Sequence, residues 1–424
     1  MADNARSKQQ IQADHIIRQL GGRDVVGVGR NDGDPPEMQY LYRKKHILVR
    51  EQYLEPARQI LLRYSESIGV PRTRPTDVPD VERVVAGVRL LRLDGLETLD
   101  ALRVIRDGEE NLNIAGLGSG CAAPDYVVHI SGDAANCPAN EPEPVSAGGS
   151  PVPPPAADPG AGAGVKVLVI DTGLDNTMQP KAHWLHGVTG EQDRLVKAGP
   201  PRTLEPYAGH GTFIAGVVRS VAPRAEVRVL NYFPRAGATW ESTLVQNLDR
   251  ALHEEFPDII SMSAGTRAQN GGLLAFNVFW ENRLSHYKGV ALVVAAGNDG
   301  ERSFFWPAAS PYTVSVGALA PDGRSRADFS NFGGWVDVYA PGQDLVNAFP
   351  NGKFTYQEPP HVGRVEQFSG MAMWSGTSFS TPLVAGLIAA RMSRTGENGR
   401  AAAAALLAQA REQAVPGVGA VLLP

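Results

Sequence analysis

The sequence predicts an α/β protein in which a small α+β domain of ferredoxin-like type precedes a doubly wound, mostly parallel sheet. Two observations lead to this prediction. After residue 164, short apolar stretches rich in β-branched residues alternate with helical stretches, as in sheets that are buried on both faces. Before residue 141, strand-like and helix-like stretches follow one another in the order β-α-β-α-β, which is typical of a small two-layer sandwich.

The N-terminal elements are predicted from the spacing of their apolar residues. Residues 1–35 form a predicted arm that includes a short helix. In the domain that follows, residues 36–140, Leu54, Ala57, Leu61 and Tyr64 recur near helical spacing. The predicted elements of this domain are strands at 46–50, 84–93 and 125–130 and helices at 54–66 and 97–108.

The clearest break in composition is the segment 141–164, which consists almost wholly of Pro, Gly, Ala and Ser. It has few side chains to bury, so we predict a linker, and its prolines favour an extended polyproline conformation. All six tryptophans follow it. The large aromatic core is therefore expected in a second domain, residues 165–424.

The second domain has five predicted strands that are short and nearly all apolar. Ligand sites in doubly wound folds lie beyond the carboxyl ends of such strands. The predicted strands are 165–170, 227–230, 258–263, 290–297 and 313–318, and the predicted helices are 210–220, 241–255, 273–288, 378–393 and 397–413.

Composition and charge exclude several function classes. The formal net charge of −5 gives no basic field for nucleic acid. No apolar window is long enough for a membrane span, and the N-terminus lacks the apolar core of a signal peptide. We therefore expect a soluble, cytoplasmic protein. Its two cysteines, Cys121 and Cys137, are expected to be free thiols in a reducing compartment. A disulfide between them is the alternative.

Three short motifs place reactive side chains at strand and helix ends. Asp171 follows the apolar strand VKVLVI, His210 lies between two glycines in GHGTFIAGVV, and Ser378 begins a helix in WSGTSFSTPLVAG. Taken singly, each has an ordinary structural interpretation, such as a turn former or an N-cap. Taken together, they supply the nucleophile, the base and the orienting carboxylate of serine catalysis.

A fourth residue fits the same chemistry. Asn298 follows the apolar strand of VVAAGNDG, where its side-chain amide could stabilise a developing oxyanion. The backbone N–H of Ser378, at a helix N-terminus, is the second predicted donor.

These motifs make residues 165–395 resemble a subtilisin-like serine protease, a member of the subtilase family. The matching blocks occur in the order of that family: VIDTGLD, GHGTFIAGV, SMSAG, AAGNDG, ADFSNFG with VDVYAPG, and GTSFSTPLVAG. The chain order Asp, His, Ser is also that of subtilisin. The resemblance implies an endopeptidase that acts on proteins or peptides through an acyl-enzyme and needs no cofactor for its chemistry.

The resemblance also implies a role for each motif residue. Asp171 would orient the base, His210 would be the general base and acid, and Ser378 would be the nucleophile. Asn298 would be an oxyanion donor. The SMSAG block would pair with the substrate backbone and line the pocket for the residue before the cleaved bond, through Ser263, Ala264 and Gly265.

The chain departs from the family pattern at several positions. Phe213 and Leu383 stand where the family usually has histidines, and we expect altered packing without loss of activity. Ala264 replaces a common Leu, which predicts a wider pocket. Asp299 is expected near the rim of that pocket, where it would favour basic side chains. Structural calcium is common in the family, but no motif assigns its ligands, and CxxC and HExxH zinc motifs are absent.

The N-terminal domain resembles, more loosely, the propeptide domain of subtilases. The resemblance implies that it acts as an intramolecular inhibitor or folding chaperone, with residues 131–164 crossing the cleft or being cut there. An unrelated regulatory module is the other interpretation of this domain.

Two other functions compete with peptide hydrolysis as interpretations of these motifs. An inactive subtilase-fold scaffold that binds a partner peptide stays open as an alternative. An esterase of the α/β-hydrolase type would need G-x-S-x-G with its His last in the chain. Ser380 occupies the final glycine position and His210 precedes the serine, which argues against it.

Overall fold

The computed structural model describes residues 8–22, 25–32, 37–69, 81–93, 95–112, 120–130, 139–145, 150–178, 182–269 and 271–424. We call residues 8–130 the N-terminal unit, residues 139–145 the connecting segment, and residues 150–424 the C-terminal unit. Each name covers only the described residues within its range.

The N-terminal unit is an antiparallel sheet with two helices on one face. Its elements are α1 (Lys8–Leu20), β1 (Val26–Arg30), β2 (Met38–Arg50), α2 (Leu54–Ser67), β3 (Val81–Val85), β4 (Val88–Arg92), α3 (Thr98–Leu112) and β5 (Ala122–His129). The strands lie in the order β5-β2-β4-β3, and β1 pairs with the first half of β2. From β2 to β5 the order is β-α-β-β-α-β, which is ferredoxin-like.

One predicted strand of this unit is wrong. The stretch 84–93 was expected to form a single strand, but it holds the end of β3, a turn and the whole of β4. Gly87, at φ 98°, makes this turn, because a left-handed backbone is readily adopted only by glycine. The pattern of apolar residues continues across the turn, so it could not reveal the hairpin.

The connecting segment and the C-terminal unit complete the chain. Their helices and strands are β6 (Glu143–Pro144), β7 (Lys166–Asp171), β8 (Thr189–Gly190), β9 (Val196–Lys197), β10 (Thr203–Leu204), α4 (His210–Val221), β11 (Glu226–Asn231), β12 (Ala238–Trp240), α5 (Glu241–Glu255), β13 (Ile259–Met262), α6 (Leu274–Asn282), β14 (Ala291–Ala295), β15 (Val314–Leu319), β16 (Val338–Pro341), β17 (Leu345–Ala348), β18 (Gly352–Thr355), β19 (Val365–Phe368), β20 (Met371–Trp374), α7 (Thr377–Thr395) and α8 (Gly399–Glu412).

Seven strands of the C-terminal unit form one sheet in the order β16-β15-β14-β13-β7-β11-β8. All neighbouring pairs are parallel. Val167 and Val169 of β7 pack with α4, α7 and α8 on one face, whereas Leu168 and Ile170 pack with α5 and α6 on the other. Helices on both faces confirm the predicted doubly wound arrangement and explain why the strands are almost continuously apolar.

The N-terminal sheet packs on α5 and α6 through its face opposite to α2 and α3. The side chains that share an apolar cluster with these helices include Tyr40, Leu48, Leu90, Tyr126 and Val128. In addition, β12 pairs antiparallel with β5. A strand of the C-terminal unit thus extends the N-terminal sheet.

Several described residues of the predicted linker contact the part of the chain that follows the linker. β6 pairs antiparallel with β20, Val152 bridges Val346, and the Ala156 amide donates to the Ser220 carbonyl at 2.7 Å. The exact domain boundaries stay a prediction. Within the described parts of the chain, no helix combines the length and the apolar character that crossing a membrane requires.

Candidate active site

Asp171 and His210 form a buried pair at the carboxyl end of β7. Both side chains are 0% exposed, and His210 Nδ1 lies 2.8 Å from Asp171 Oδ1 and 3.0 Å from Oδ2. Asp171 is the last residue of β7 and His210 the first of α4. Their contact fixes the imidazole so that its Nε2 points away from the carboxylate.

Two glycines allow α4 to begin this close to β7. Gly209, just before His210, has φ 82°, a left-handed conformation that suits glycine. A Cβ on Gly211 would lie 2.4 Å from the carbonyl oxygen of Gly173. Backbone geometry therefore requires both glycines of the GHG motif.

Ser378 lies in the first turn of α7 and is 1% exposed. Its neighbour Phe379 lies against the His210 ring, with centroids 5.4 Å apart. Within the described part of the chain, neither Ser378 Oγ nor His210 Nε2 has a hydrogen-bond partner, although both atoms are buried. Buried polar groups are rarely left unpaired, so these two atoms mark a place built for a further interaction.

Aromatic side chains surround the imidazole. Trp374 lies at 5.4 Å from the His210 ring. Phe213, which stands where relatives usually have His, packs against Phe379 at 4.5 Å and Trp374 at 5.9 Å. Phe213 and Leu383 are fully buried, and their expected effect, altered packing without loss of activity, stays a prediction.

Asn298 is attached to the start of α7 by Thr377. The Asn298 side-chain oxygen accepts hydrogen bonds from the Thr377 amide at 2.8 Å and from its hydroxyl at 2.9 Å. Because the oxygen is held by the residue before Ser378, the amide group of Asn298 has a fixed orientation beside the first turn of α7. The structure thus brings together Asp171, His210, Ser378 and Asn298.

The segment Ser263–Gly265 follows β13 and is buried. The Ser263 hydroxyl donates to the Ser378 carbonyl at 2.9 Å. Gly265 exchanges two backbone hydrogen bonds with His129 of the N-terminal unit, at 2.9 and 3.1 Å. Ala264 is 1% exposed. The segment predicted to pair with substrate therefore pairs with the end of β5.

Sequence reasoning missed Asp193, a carboxylate close to the Asp171–His210 pair. Its side chain is 0% exposed and accepts hydrogen bonds from the Gly209 amide at 2.7 Å and the Thr172 hydroxyl at 3.3 Å. Burial, with a smaller contribution from the Asp171 charge, raises the pKa of Asp193 to about 7, although the hydrogen bonds to this carboxylate lower it. Asp193 belongs to no recognised motif, and only the fold shows where it lies.

The structure gives no support to the expected role of Asp299 at a pocket rim. Its side chain is 1% exposed and lies 3.8 Å from Arg267. It also accepts a hydrogen bond from the Asn331 amide at 3.3 Å. Its charge is thus already engaged inside the chain.

The described residues form no evident binding site for calcium or another metal ion. No group of three or more His, Cys, Asp or Glu side chains is arranged there to hold an ion. Asp175 is instead bound by Arg202 at 2.8 Å.

Cys121 is buried, and Cys137 lies outside the described residues, so the expectation about a disulfide cannot be compared with the structure.

Comparison with known proteins identifies the family. The profile of the family described as Peptidase_S8, the subtilase family, matches residues 162–418, which is more than half of the 424 residues. The chain belongs to the subtilase family. Subtilases are serine endopeptidases, and the profile covers all four residues that meet at the site.

Individual relatives agree with this assignment. The chain is 30% identical over 243 residues to an intracellular serine protease of Paenibacillus polymyxa, covering 54% of this chain and 66% of the relative. It is 30% identical over 263 residues to thermitase of Thermoactinomyces vulgaris, covering 59% and 83%. The matched region thus spans just under two thirds of the Paenibacillus protein and most of thermitase.

A solved structure extends the likeness beyond the subtilase region. The crystal structure of fervidolysin from Fervidobacterium pennivorans, a keratinolytic enzyme related to subtilisin, superposes with a TM-score of 0.57 at 18% identity. It covers 90% of this chain, and the match spans 60% of fervidolysin. This is a likeness of fold, and it includes the N-terminal unit as well as the subtilase part.

Proposed function

We propose that this subtilase hydrolyses peptide bonds through an acyl-enzyme, with Ser378 as nucleophile, His210 as general base and acid, and Asp171 as the residue that orients the base. Ser378 Oγ attacks the peptide carbonyl carbon while its proton passes to His210 Nε2. Asp171 accepts the hydrogen bond from Nδ1–H and stabilises the imidazolium. His210 then protonates the leaving amine, and water hydrolyses the acyl-enzyme by the same groups in reverse.

Charge on the substrate oxygen is stabilised by two donors in this proposal. The Asn298 amide N–H group and the backbone N–H of Ser378 would both donate to it. The N-terminal end of α7 adds a favourable dipole at the same place. The chemistry of these side chains requires no cofactor.

One observation carries the proposal: among the described residues, the buried Asp171–His210 pair leaves Nε2 without a partner, and Ser378 Oγ is also buried and unpartnered, next to the Phe379 ring that packs on His210. Catalytic hydrogen bonds are often long without substrate and shorten in the complex. A peptide-binding scaffold without activity would have no need to bury two unpaired polar atoms, so this alternative is less favoured.

We further propose that the N-terminal unit inhibits the enzyme until the chain cuts itself. His129 lies between two segments of the C-terminal unit and pairs with Gly265 on one side and Ala238 on the other. Ala139 binds the carbonyl of Ser375, three residues before Ser378, at 2.9 Å. Since both ends of residues 131–138 are held near Ser378, self-cleavage is expected within them.

The test combines covalent labelling with fragment analysis. Wild-type protein should react with a fluorophosphonate probe, and Ser378→Ala should not. Wild type should also release an N-terminal fragment of roughly 15 kDa, because the cut divides the 45.3 kDa chain near a third of its length. Labelling of both proteins, or equal fragmentation of both, would contradict the proposal.

A location inside the cell is part of the proposal. It is supported by the name of the Paenibacillus relative, an intracellular serine protease. Cell fractionation with an antibody against the C-terminal unit would test it, and recovery in the culture medium would contradict it.

A further inference from the structure

The connecting segment occupies a defined binding site on the C-terminal unit. Asn140 makes two contacts there: its side-chain oxygen accepts from the Ser375 amide at 3.1 Å, and its carbonyl accepts from the Trp374 indole at 2.7 Å. Further along, the Tyr356 hydroxyl donates to the carbonyl of Pro142 at 2.9 Å. Glu143 and Pro144 then add a short strand to the edge of β20.

A carboxylate lies at the centre of this site. Glu141 Oε1 accepts from the backbone N–H of Gln357 at 2.8 Å, and Oε2 accepts from the backbone N–H of Glu358 at 3.1 Å. Two successive backbone N–H groups thus bind both oxygens of one acid. An ionised carboxylate accepts such hydrogen bonds more strongly than a neutral group does. A glutamine could satisfy only one of the two donors, because its NH₂ group would face the other.

The site lies on the leaving-group side of the proposed reaction. If the chain is cut between Ile130 and Ala139, Glu141 is at least the third residue after the cleaved bond. His129 is held on the other side of that bond, by Gly265 and Ala238. Trp374 links the site to the proposed general base, because its ring contacts both Asn140 and His210.

We propose that β20 and the backbone N–H groups of Gln357 and Glu358 form a specificity site for substrates. The site binds an extended peptide that carries an acidic side chain several residues after the cleaved bond. In the present structure the chain's own residues 139–144 fill the site. The inference rests on the proposed endopeptidase function and adds to it a preference for acidic residues downstream of the cut. After self-cleavage, the new N-terminal end competes with substrate for the same site.

The binding part is tested without using activity. Hydrogen exchange of residues 139–145 is measured by mass spectrometry in full-length Ser378→Ala protein, with and without Glu141→Gln. Exchange should be roughly tenfold faster with Glu141→Gln, because one charge-assisted hydrogen bond is lost. The matched control is Glu143→Gln in the same background, since Glu143 is exposed and lies only two residues after Glu141. Equal exchange in all three proteins would overturn the proposal.

The specificity part uses three peptides that span residues 128–146: the natural sequence, Glu141→Gln and Glu143→Gln. Self-cleaved wild-type protein should cut the Glu141→Gln peptide with kcat/KM roughly tenfold lower, mainly through KM, and the other two alike. Equal kcat/KM for all three would overturn the specificity site. Failure to cut any peptide, together with no fluorophosphonate labelling, would instead overturn the proposed function, and the exchange experiment would still decide whether the site binds Glu141.

Discussion

Thr377 shows how one residue can position the proposed oxyanion donor. Its hydroxyl donates to the Asn298 side-chain oxygen at 2.9 Å and accepts from the Gly297 amide at 3.2 Å. It therefore ties the end of β14 to the start of α7. Asn298 was predicted from its motif, whereas the residue that orients it could be found only in the structure.

We expect Thr377→Val to lower kcat by roughly five- to tenfold, the effect of one lost hydrogen bond of about 1–1.5 kcal/mol. KM should change little, because Thr377 orients a group that acts on the transition state. Steady-state kinetics on one peptide measures both values. Thr377→Ser keeps the hydroxyl and should retain most of the activity; a Ser variant as slow as Val would contradict the explanation.

Asp193 binds residues adjacent to both members of the Asp171–His210 pair and can therefore position the pair. It binds the amide of Gly209, which precedes His210, and the hydroxyl of Thr172, which follows Asp171. Its other oxygen accepts from the Leu195 amide at 2.9 Å. We expect Asp193→Asn to lower kcat on the order of tenfold, because the NH₂ group of an asparagine would face one of these donors. The exposed Asp328→Asn is the control. An unchanged kcat in the Asp193 variant would mean that this network does not position the pair.

At the scale of elements, two buried acids cap the helices on which the N-terminal unit rests. Asp125 of β5 accepts from the Ser242 amide at 2.9 Å and the Ser242 hydroxyl at 2.8 Å, at the start of α5. Glu241 accepts from the Ala275 amide at 2.6 Å, at the start of α6. Both acids are 0% exposed. Negative groups at helix N-termini are favourable, but burial penalises their charge.

This arrangement makes docking of the N-terminal unit depend on pH. Burial, with a smaller contribution from the Glu82 charge, raises the pKa of Asp125 from 3.8 to about 6, although the Ser242 hydrogen bonds and the Arg43 charge lower it. Burial, and then the Asp125 charge, raise the pKa of Glu241. A raised pKa means that the docked state holds its proton more tightly than the exposed one. The contribution of Asp125 is therefore full below about pH 4 and is lost as the pH rises through about 6.

After self-cleavage, we expect the N-terminal fragment to dissociate faster as the pH rises from 4 to 6. The pKa shift of Asp125 limits its contribution to this increase in the dissociation rate to roughly a hundredfold. Dissociation can be followed by the return of activity after dilution. Asp125→Asn should weaken this pH dependence, whereas Asp100→Asn, on the exposed surface of α3, should not. An equally steep profile in the Asp125 variant would refute the assignment.

At the scale of the whole molecule, the N-terminal sheet completes one of the large apolar clusters of the C-terminal unit. Tyr40, Tyr126 and Val128 share that cluster with α5 and α6, and β12 pairs with β5. These contacts join residues more than a hundred positions apart. Folds dominated by such long-range contacts form slowly, so a preformed partner surface is expected to help α5 and α6 to dock.

We therefore expect denatured enzyme, freed of its N-terminal fragment, to regain activity much faster when that fragment is added back. The measurement is recovered activity against time, after the fragment has been diluted or digested. Serum albumin at equal concentration is the control for nonspecific protection. Equal recovery with either protein would contradict a chaperone role.

The sequence alone determined the alternation of strands and helices and the four candidate residues of the proposed site. Asp171, His210, Ser378 and Asn298 could be found because each lies in a local motif at a strand or helix end. The spacing of apolar residues and the positions of glycines are likewise local properties, so β7, β13 and β14 were predicted close to their observed positions. The residues of the proposed site can thus be identified from short stretches of chain.

Only the tertiary structure decided which distant residues support that chemistry. Asp193, Asp125 and the Gln357–Glu358 amides carry no local signal, because an acid or a loop amide acquires its role only from what packs beside it. The pairing of β5 with β12 likewise depends on the match between two surfaces. Burial and backbone hydrogen bonding between remote segments set these features, and neither can be deduced from the spacing of residues along one segment.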